Sequence, residues 1–314
     1  MTAPTPHPYY QAILDVYAAA GRPYFHQVTP PEARAMLRAS LAASPLPVGL
    51  PDLAAVVNET IPGPGGAIPI RRYVPSSATP GTIVYFHAGG WVIGDLDFSD
   101  ATCRRVAGLT QAEIISVDYR LAPEHPFPAP LDDAFAALQW AVGRKPAPLL
   151  VMGESAGANL AAACTILARE KGLALAGQCL AYPVTDHDFE TASYREIGAK
   201  NWLLSTADMR WFWDHFAPPD IDRSNPLLSP LRLPNAAGLP PAIIVTGALD
   251  PLRDEALAYA AKLQAAGVPT VTRCDDAMLH GYLSAAGAVP LAAEALRQIA
   301  GWIHEQLQNA AQNS

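Results

Sequence analysis

The sequence predicts an α/β fold in which a mostly parallel β-sheet carries helices on both faces and a helical cap. From Thr82 onward, short apolar segments of strand length alternate with longer segments of helical composition, which is the order of parallel strands joined by crossover helices. The chain has 314 residues, 50% of them apolar, which is enough for a single large core. One long aromatic segment, residues 186–225, interrupts the alternation.

Two helices are predicted before the first strand. Residues 9–20 carry apolar side chains at helical spacing, and Gly21 ends the pattern. A second helix is predicted to begin after Thr29, whose hydroxyl can cap it, and to continue through Leu41. Because neither helix belongs to the alternation of strands and helices, we predict that residues 1–50 contribute to a cap.

The sheet core is predicted in two parts, residues 51–185 and residues 226–314. Residues 56–61 and 67–74, separated by a Pro- and Gly-rich turn, predict an antiparallel hairpin. Further strands are predicted near residues 82–87, 113–118, 148–152, 177–182, 242–247 and 269–274. Helices are predicted near residues 99–109, 130–143, 156–170, 253–266 and 290–308.

Residues 186–225 form a predicted insertion between two strands that should be neighbours. This segment contains three of the chain's six tryptophans. A connection of this length is unusual unless it has a function. We predict a helical cap over the carboxyl edge of the sheet, packed with the N-terminal helices. A helix pair docked as ordinary core is the alternative.

The stretch of residues 149–164 predicts a strand, a sharp turn and a helix. An apolar run meets Gly-Glu-Ser-Ala-Gly and continues into an Ala-rich segment, which is typical of a turn that holds a serine nucleophile in a strained conformation. Gly153 and Gly157 lack the Cβ atoms that would clash where strand and helix meet. We therefore predict that Ser155 is a nucleophile at the sheet's carboxyl edge and that Glu154 points away from the substrate. A chance occurrence of the pentapeptide is the alternative.

Two further residues are candidates to activate the serine. Asp250 and His280 each follow a predicted strand, so both should lie at the same edge as Ser155. The order serine, aspartate, histidine is that of the α/β-hydrolases and of neither other common serine-hydrolase arrangement. An aspartate before proline is also a common turn former, and His280 is one of eight histidines.

Hydrogen-bond donors for an oxyanion are predicted after the strand near residues 82–87. The backbone amides of Gly89 and Gly90, joined by that of Ala156 at the start of the following helix, would form a three-donor oxyanion hole. Removing one such donor costs about 3 kcal/mol of transition-state stabilisation. His87 is predicted to brace this loop by hydrogen bonding rather than to act as the base.

With these motifs in place, the chain resembles the bacterial hormone-sensitive-lipase-like carboxylesterases (family IV esterases), a branch of the α/β-hydrolase fold. The resemblance spans nearly the whole chain and rests on residues 87–90, 118–128, 153–157 and 250–255. It implies an eight-stranded sheet, a helical cap, frequent homodimers, no metal or other cofactor, and hydrolysis of short- to medium-chain acyl esters. Ala88 departs from the family's His-Gly-Gly-Gly loop. If that position requires a positive φ, alanine would cost about 1–2 kcal/mol.

The predicted activity is ester hydrolysis through an acyl-enzyme on Ser155, with His280 as base and Asp250 orienting it. Activity is expected to rise from neutral to mildly alkaline pH, as an imidazole loses its proton. An arylamide deacetylase or amidase would use the same residues. A non-catalytic ligand-binding receptor on a hydrolase scaffold is a more remote alternative, and a lipase acting on long-chain emulsions is disfavoured because no apolar lid is evident.

Six apolar residues are candidates for the substrate pocket because each borders a catalytic loop or belongs to the predicted cap. They are Trp91, Tyr182, Leu203, Leu204, Phe212 and Phe216. Core packing would explain any one of them equally well. Within residues 118–128, an ion pair between Arg120 and Glu124 is predicted to fix the Pro-rich loop.

Composition limits the partners. A net charge of −8 provides no basic surface for nucleic acid, so a small-molecule ester is the expected partner, with a homodimer possible.

We find no apolar run long enough to span a membrane and no N-terminal signal sequence, which predicts a soluble, cytoplasmic protein. The four cysteines are far apart without metal-ligand spacing, so reduced thiols are expected.

Overall fold

The centre of the structure is an eight-stranded β-sheet. The computed structural model describes residues 5–44, 47–77, 81–144 and 147–312. The strands are Ala55–Gly63 (β1), Gly66–Val74 (β2), Thr82–Phe86 (β3), Glu113–Val117 (β4), Leu149–Glu154 (β5), Gly177–Ala181 (β6), Ala242–Leu249 (β7) and Thr270–Leu279 (β8). The α-helices of these residues are Pro8–Ala19 (α1), Pro30–Ala43 (α2), Asp100–Thr110 (α3), Ala129–Arg144 (α4), Ala156–Glu170 (α5), Ala192–Glu196 (α6), Thr206–Phe216 (α7), Arg253–Ala265 (α8) and Pro290–Gln312 (α9).

The strand order is β1-β2-β4-β3-β5-β6-β7-β8, which confirms the mostly parallel α/β sheet. β1 and β2 form the predicted antiparallel hairpin, β2 pairs antiparallel with β4, and the remaining neighbours are parallel. β3 lies between β4 and β5, so the direction of strand addition reverses beside it. In open α/β sheets, ligands bind outside the carboxyl ends of the strands at such a switch point. The loops after β3 and β5 are therefore the place to look for a site.

Helices cover both faces of the sheet. All five residues of β3 are buried, with Val84 in the apolar cluster that includes α4, α5 and α8, and Ile83 in the cluster that includes α3 and α9. Successive side chains of a strand point to opposite faces, so a strand covered on both sides needs a continuous apolar sequence. This explains why the core strands show no alternation of polar and apolar residues.

The N-terminal segment and the insertion at residues 186–225 are in contact with each other. Phe25, in a short 3₁₀ turn between α1 and α2, packs against Phe212 of α7 with ring centroids 5.6 Å apart. His26 Nδ1 lies 2.8 Å from a carboxylate oxygen of the buried Asp208. At the start of α2, the backbone N–H of Thr29 donates to the Glu32 carboxylate at 2.8 Å, which completes a capping box.

The predicted ion pair between Arg120 and Glu124 is wrong. Arg120 donates instead to both carboxylate oxygens of Asp133 on α4, each at 2.8 Å. Asp133 is almost fully buried, and a buried carboxylate needs a paired cation within reach. Glu124 faces the N-terminal helix α2 and pairs with Arg34 at 2.6 Å. Arg120 and Glu124 therefore each bind another element rather than each other.

Among the described residues, no helix is both long and apolar enough to cross a membrane. All four cysteines are free; Cys103, Cys164 and Cys179 are buried and Cys274 is exposed. No group of three or more potential ligand side chains within the described ranges is arranged to hold a metal ion.

Candidate active site

Ser155 sits at the sharp turn between β5 and α5. Its backbone has φ +55° and ψ −120°, a conformation that non-glycine residues rarely adopt. The turn requires its two glycines: a Cβ on Gly153 would lie 2.1 Å from the carbonyl oxygen of Gly157, and a Cβ on Gly157 would lie 2.1 Å from that of Phe86. The two glycines of the Gly-x-Ser-x-Gly pattern therefore allow β5, α5 and β3 to pack at a distance that any side chain would prevent.

Strand register brings Asp250 and His280 together. Leu249, the last residue of β7, pairs with Leu279, the last residue of β8, so the two residues that follow leave the sheet side by side. This pairing depends on a register shift between Gly247 and Leu249, opposite a part of β8 where Ala277 has φ +60°. Without the shift, Leu249 would not pair with Leu279, and Asp250 and His280 would not be adjacent where the two strands end.

The three side chains form a continuous chain of contacts. His280 Nε2 lies 2.8 Å from Ser155 Oγ, and His280 Nδ1 lies 2.8 Å from Asp250 Oδ2. Asp250 is fully buried, and its other carboxylate oxygen accepts the backbone N–H of Leu252 at 2.8 Å. With Nδ1–H donating to the carboxylate, Nε2 presents its lone pair to the serine hydroxyl. The imidazole is therefore oriented to remove a proton from Ser155.

Three backbone amides near Ser155 have no internal acceptor within the part of the chain that the structure describes. They are those of Gly89, Gly90 and Ala156. Gly89 and Gly90 have φ +127° and +57°, and a Cβ on Gly89 would lie 2.0 Å from the carbonyl oxygen of Ile93. The sequence-predicted donors are thus brought beside the serine and left free to bind a ligand oxygen.

Ala88 does not strain this loop, because it is not among the residues with positive φ. The expected 1–2 kcal/mol cost at this position therefore does not arise. His87 Nδ1 donates to the Ala88 carbonyl oxygen at 2.7 Å, and the His87 ring stacks on Tyr119 with centroids 4.2 Å apart. His87 braces the loop, and Ser155 contacts a different histidine.

Burial lowers the pKa of His87 to about 4. The unfolded chain, with an ordinary imidazole, binds a proton near pH 6.5, so between those two values the unfolded state holds more protons and stability falls as the pH falls. We expect the free energy of unfolding, measured with urea, to lose about 2 kcal/mol between pH 7 and pH 5 through this residue. His87→Gln should remove that portion of the pH dependence, whereas exposed His125→Gln should not. An unchanged pH dependence in His87→Gln would contradict this assignment.

Glu154 lies next to Ser155 at the border of the cavity, and its carboxylate is held in a buried cluster of tyrosines. Its carboxylate accepts hydrogen bonds from the hydroxyls of Tyr85, at 2.6 Å, and Tyr182. Burial raises its pKa. The ring of Tyr182 lies edge-on to His280, with centroids 4.9 Å apart. The buried cluster of Glu154 and Tyr182 therefore packs against the histidine.

A cavity of about 1630 Å³ has Ser155, His280, Gly89 and Gly90 in its wall. Three of the six residues predicted for the pocket line this cavity: Leu203, Leu204 and Phe212. Sequence reasoning missed the contribution of the N-terminal helices, whose apolar faces provide a large part of the wall. These additional lining residues include Tyr10, Ile13, Leu14, Tyr17, Phe25, Met36 and Leu37. Their helical spacing was the available signal, but it did not indicate which of their side chains would line the cavity.

Trp91, Tyr182 and Phe216 lie outside the cavity wall, so these three pocket predictions require correction. All three are fully buried. Trp91 stacks on Phe216 with centroids 4.1 Å apart and meets Trp213 edge-on at 5.2 Å. These aromatic rings pack α7 against the loop after β3, while Tyr182 supports the histidine. They were selected for proximity in sequence, which does not distinguish a cavity wall from the layer behind it.

The chain is similar to known hydrolases over most of its length. Residues 83–284 match the sequence model of a family described as alpha/beta hydrolase fold. The carboxylic ester hydrolase LipN of Mycobacterium tuberculosis is 42% identical over 267 residues, which cover 80% of this chain and 70% of LipN. The arylesterase of Saccharolobus solfataricus is 35% identical over 223 residues, covering 69% of this chain and 73% of that enzyme.

Solved structures extend the similarity to nearly the whole chain. A thermostable esterase from Pseudomonas putida has a TM-score of 0.90 to this chain at 34% identity, covering 98% of this chain and 99% of that one. Both the sequence relatives and the structural neighbour are esterases by name. The chain therefore belongs to the hormone-sensitive-lipase-like carboxylesterases of the α/β-hydrolase fold.

Proposed function

We propose that the protein hydrolyses short- to medium-chain acyl esters through an acyl-enzyme on Ser155. The observation that carries this proposal is the unbroken chain of contacts from Asp250 through His280 to Ser155, at 2.8 Å each, beside backbone amides without internal acceptors. A serine, a base, a group that orients the base and oxyanion donors are the four requirements of this chemistry.

The reaction takes place in two steps. His280 Nε2 accepts the Ser155 proton as Oγ attacks the ester carbonyl, and the amides of Gly89, Gly90 and Ala156 stabilise the resulting oxyanion. His280 then donates that proton to the departing alcohol. In the second step, water loses a proton to His280, attacks the acyl-enzyme and releases the acid, after which the proton returns to Ser155. Asp250 stays ionised and stabilises the imidazolium in both steps.

The cap supports the preference for modest acyl chains. The N-terminal helices and residues 186–225 together form this cap in our proposal, and both line the cavity. The ring of Phe212 lies against Gly90, because a Cβ on that glycine would be 2.1 Å from the ring. Phe212 thus limits the space immediately beside the oxyanion donors. A bulky acyl group would have to displace it.

Covalent labelling tests the proposed nucleophile. Diethyl p-nitrophenyl phosphate should phosphorylate Ser155 and abolish hydrolysis of p-nitrophenyl butyrate, with the adduct located by peptide mass spectrometry. Ser155→Ala serves as the control and should remain unlabelled. An adduct elsewhere, or none, would favour the alternative of a non-catalytic binding protein.

Two substrate series test the proposed specificity. Rates should be highest for p-nitrophenyl acetate to octanoate and fall steeply at palmitate. Matched p-nitroanilides separate the esterase from the amidase, which needs the same residues. A greater kcat/KM for the anilides than for the esters would overturn the preference for esters.

We also propose that the protein is cytoplasmic. The four free cysteines support it, because secreted proteins commonly pair theirs. Homodimer formation remains a prediction, which light scattering of the purified protein would measure.

A further inference from the structure

One side chain of the cap, Arg34 on α2, binds two loops of the core. Its Nε donates to the carbonyl oxygen of Val92 at 2.8 Å, and Nη2 donates to that of Ala122, also at 2.8 Å. Its two terminal nitrogens also donate to the Glu124 carboxylate, at 2.8 and 2.6 Å. Within the described ranges, neither Val92 nor Ala122 has another donor to its carbonyl oxygen. Arg34 is therefore the hydrogen-bond partner on which both buried carbonyls depend.

The Val92 carbonyl belongs to the turn that carries the proposed oxyanion donors. The backbone N–H groups of Val92 and Ile93 both donate to the carbonyl oxygen of Gly89, at 3.0 and 2.9 Å. The position of Val92 is thus coupled to the orientation of the peptide groups around Gly89 and Gly90. Movement at Val92 would rotate the amides that face the substrate oxygen.

The second loop is attached to the same turn. The backbone N–H of Ala122 donates to the carbonyl oxygen of Trp91 at 2.9 Å, and Arg34 binds the carbonyl oxygen of the same residue, Ala122. Trp91 itself has φ +61°, so the turn is held in a conformation that a free loop would rarely adopt. Arg34 therefore binds both the turn, at Val92, and the attached loop, at Ala122.

From these contacts we propose that Arg34 is a positioning residue for the oxyanion hole, acting through the turn of residues 89–93. Arg34 is not part of the cavity wall, so it acts without touching the substrate. The inference rests on the proposed roles of Gly89 and Gly90. Because Arg34 lies on α2, this contact would also make the geometry of the hole depend on a docked cap.

The chemistry of guanidinium suits this position. A planar fork with five donors can reach two carbonyls and a carboxylate at once, whereas a lysine ammonium is a compact charge on a flexible stem. The hydrogen bond from Arg34 lowers the pKa of Glu124 to about 2, so this carboxylate stays ionised throughout the working pH range of an esterase. Arg34 has no hydrogen bond to Ser155, His280 or Asp250, so its loss should lower the rate without changing the shape of the pH–rate profile.

Steady-state kinetics of Arg34→Met test the proposal. We expect kcat for p-nitrophenyl butyrate to fall about 10- to 100-fold, the range for misplaced catalytic groups, with KM changing less than about 3-fold. Affinity for a trifluoromethyl ketone, which forms an oxyanion on the serine, should fall by a similar factor. Arg34→Lys should recover part of the loss. Rates are normalised to the active fraction, titrated with a fluorescent phosphonate.

Glu124→Gln is the matched control, because it removes the ion pair and leaves the donors to Val92 and Ala122 in place. Its kcat should stay within about 3-fold of the parent value. An Arg34→Met enzyme with unchanged kcat per active site, or with a change in KM alone, would overturn the proposal. If Arg34→Met does not fold, Arg34→Lys decides by the same criteria. Failure of the esterase assignment would appear separately, as an unlabelled and inactive parent enzyme.

Discussion

Replacing Ser155 with alanine is expected to lower kcat for p-nitrophenyl butyrate by about 10⁴- to 10⁶-fold. The change removes the hydroxyl that forms the acyl-enzyme in the proposed mechanism, while His280, Asp250 and the backbone amides stay in place. Some acceleration over the reaction in water should remain, because free amides can still stabilise an oxyanion formed by direct attack of water. KM should change much less than kcat, since the cavity wall is preserved.

The matched control is Ser224→Ala, which removes an exposed hydroxyl that donates to Asp222. Its kcat should equal that of the parent. Combining Ser155→Ala with His280→Ala should cost little more than Ser155→Ala alone, because residues that act as one unit do not contribute additively. Turnover by purified Ser155→Ala at more than a few per cent of the parent rate would refute the role of the serine.

Asp250→Asn is expected to lower kcat by about 10³- to 10⁴-fold. One carboxylate oxygen accepts the Leu252 N–H and the other faces His280 Nδ1. An asparagine would keep its carbonyl oxygen on the Leu252 N–H and so turn its NH₂ group toward Nδ1. The imidazole would then carry its proton on Nε2, which faces Ser155 and could no longer accept the hydroxyl proton.

Exposed Asp276→Asn is the control, since it removes the same charge from the strand that precedes His280 without touching the imidazole. Its kcat should stay near the parent value. Phosphonate labelling should slow in Asp250→Asn in parallel with kcat, because both depend on the serine losing its proton. Normal labelling together with slow turnover would show instead that Asp250 acts only after acylation.

Local geometry explains how much of this protein could be predicted from its sequence. The strand–turn–helix at Ser155 needs glycine at positions 153 and 157, because added Cβ atoms would meet backbone oxygens at 2.1 Å. Such requirements involve contiguous residues and leave a readable pattern. The strands and their order along the chain follow from apolar segments of the right length. The sequence alone therefore determined the sheet and the identities of the three side chains that meet at its carboxyl edge.

Tertiary structure alone decided which distant groups pair. Arg120 and Glu124 are close in sequence, yet they bind Asp133 and Arg34, because a buried carboxylate on α4 and a cationic side chain on α2 lie nearer in space. The register shift in β8 and the placement of Trp91, Tyr182 and Phe216 behind the cavity wall likewise depend on how whole elements pack. A charged group or an aromatic ring can pair with many different partners. Which partner it contacts is therefore determined only when the whole chain is packed.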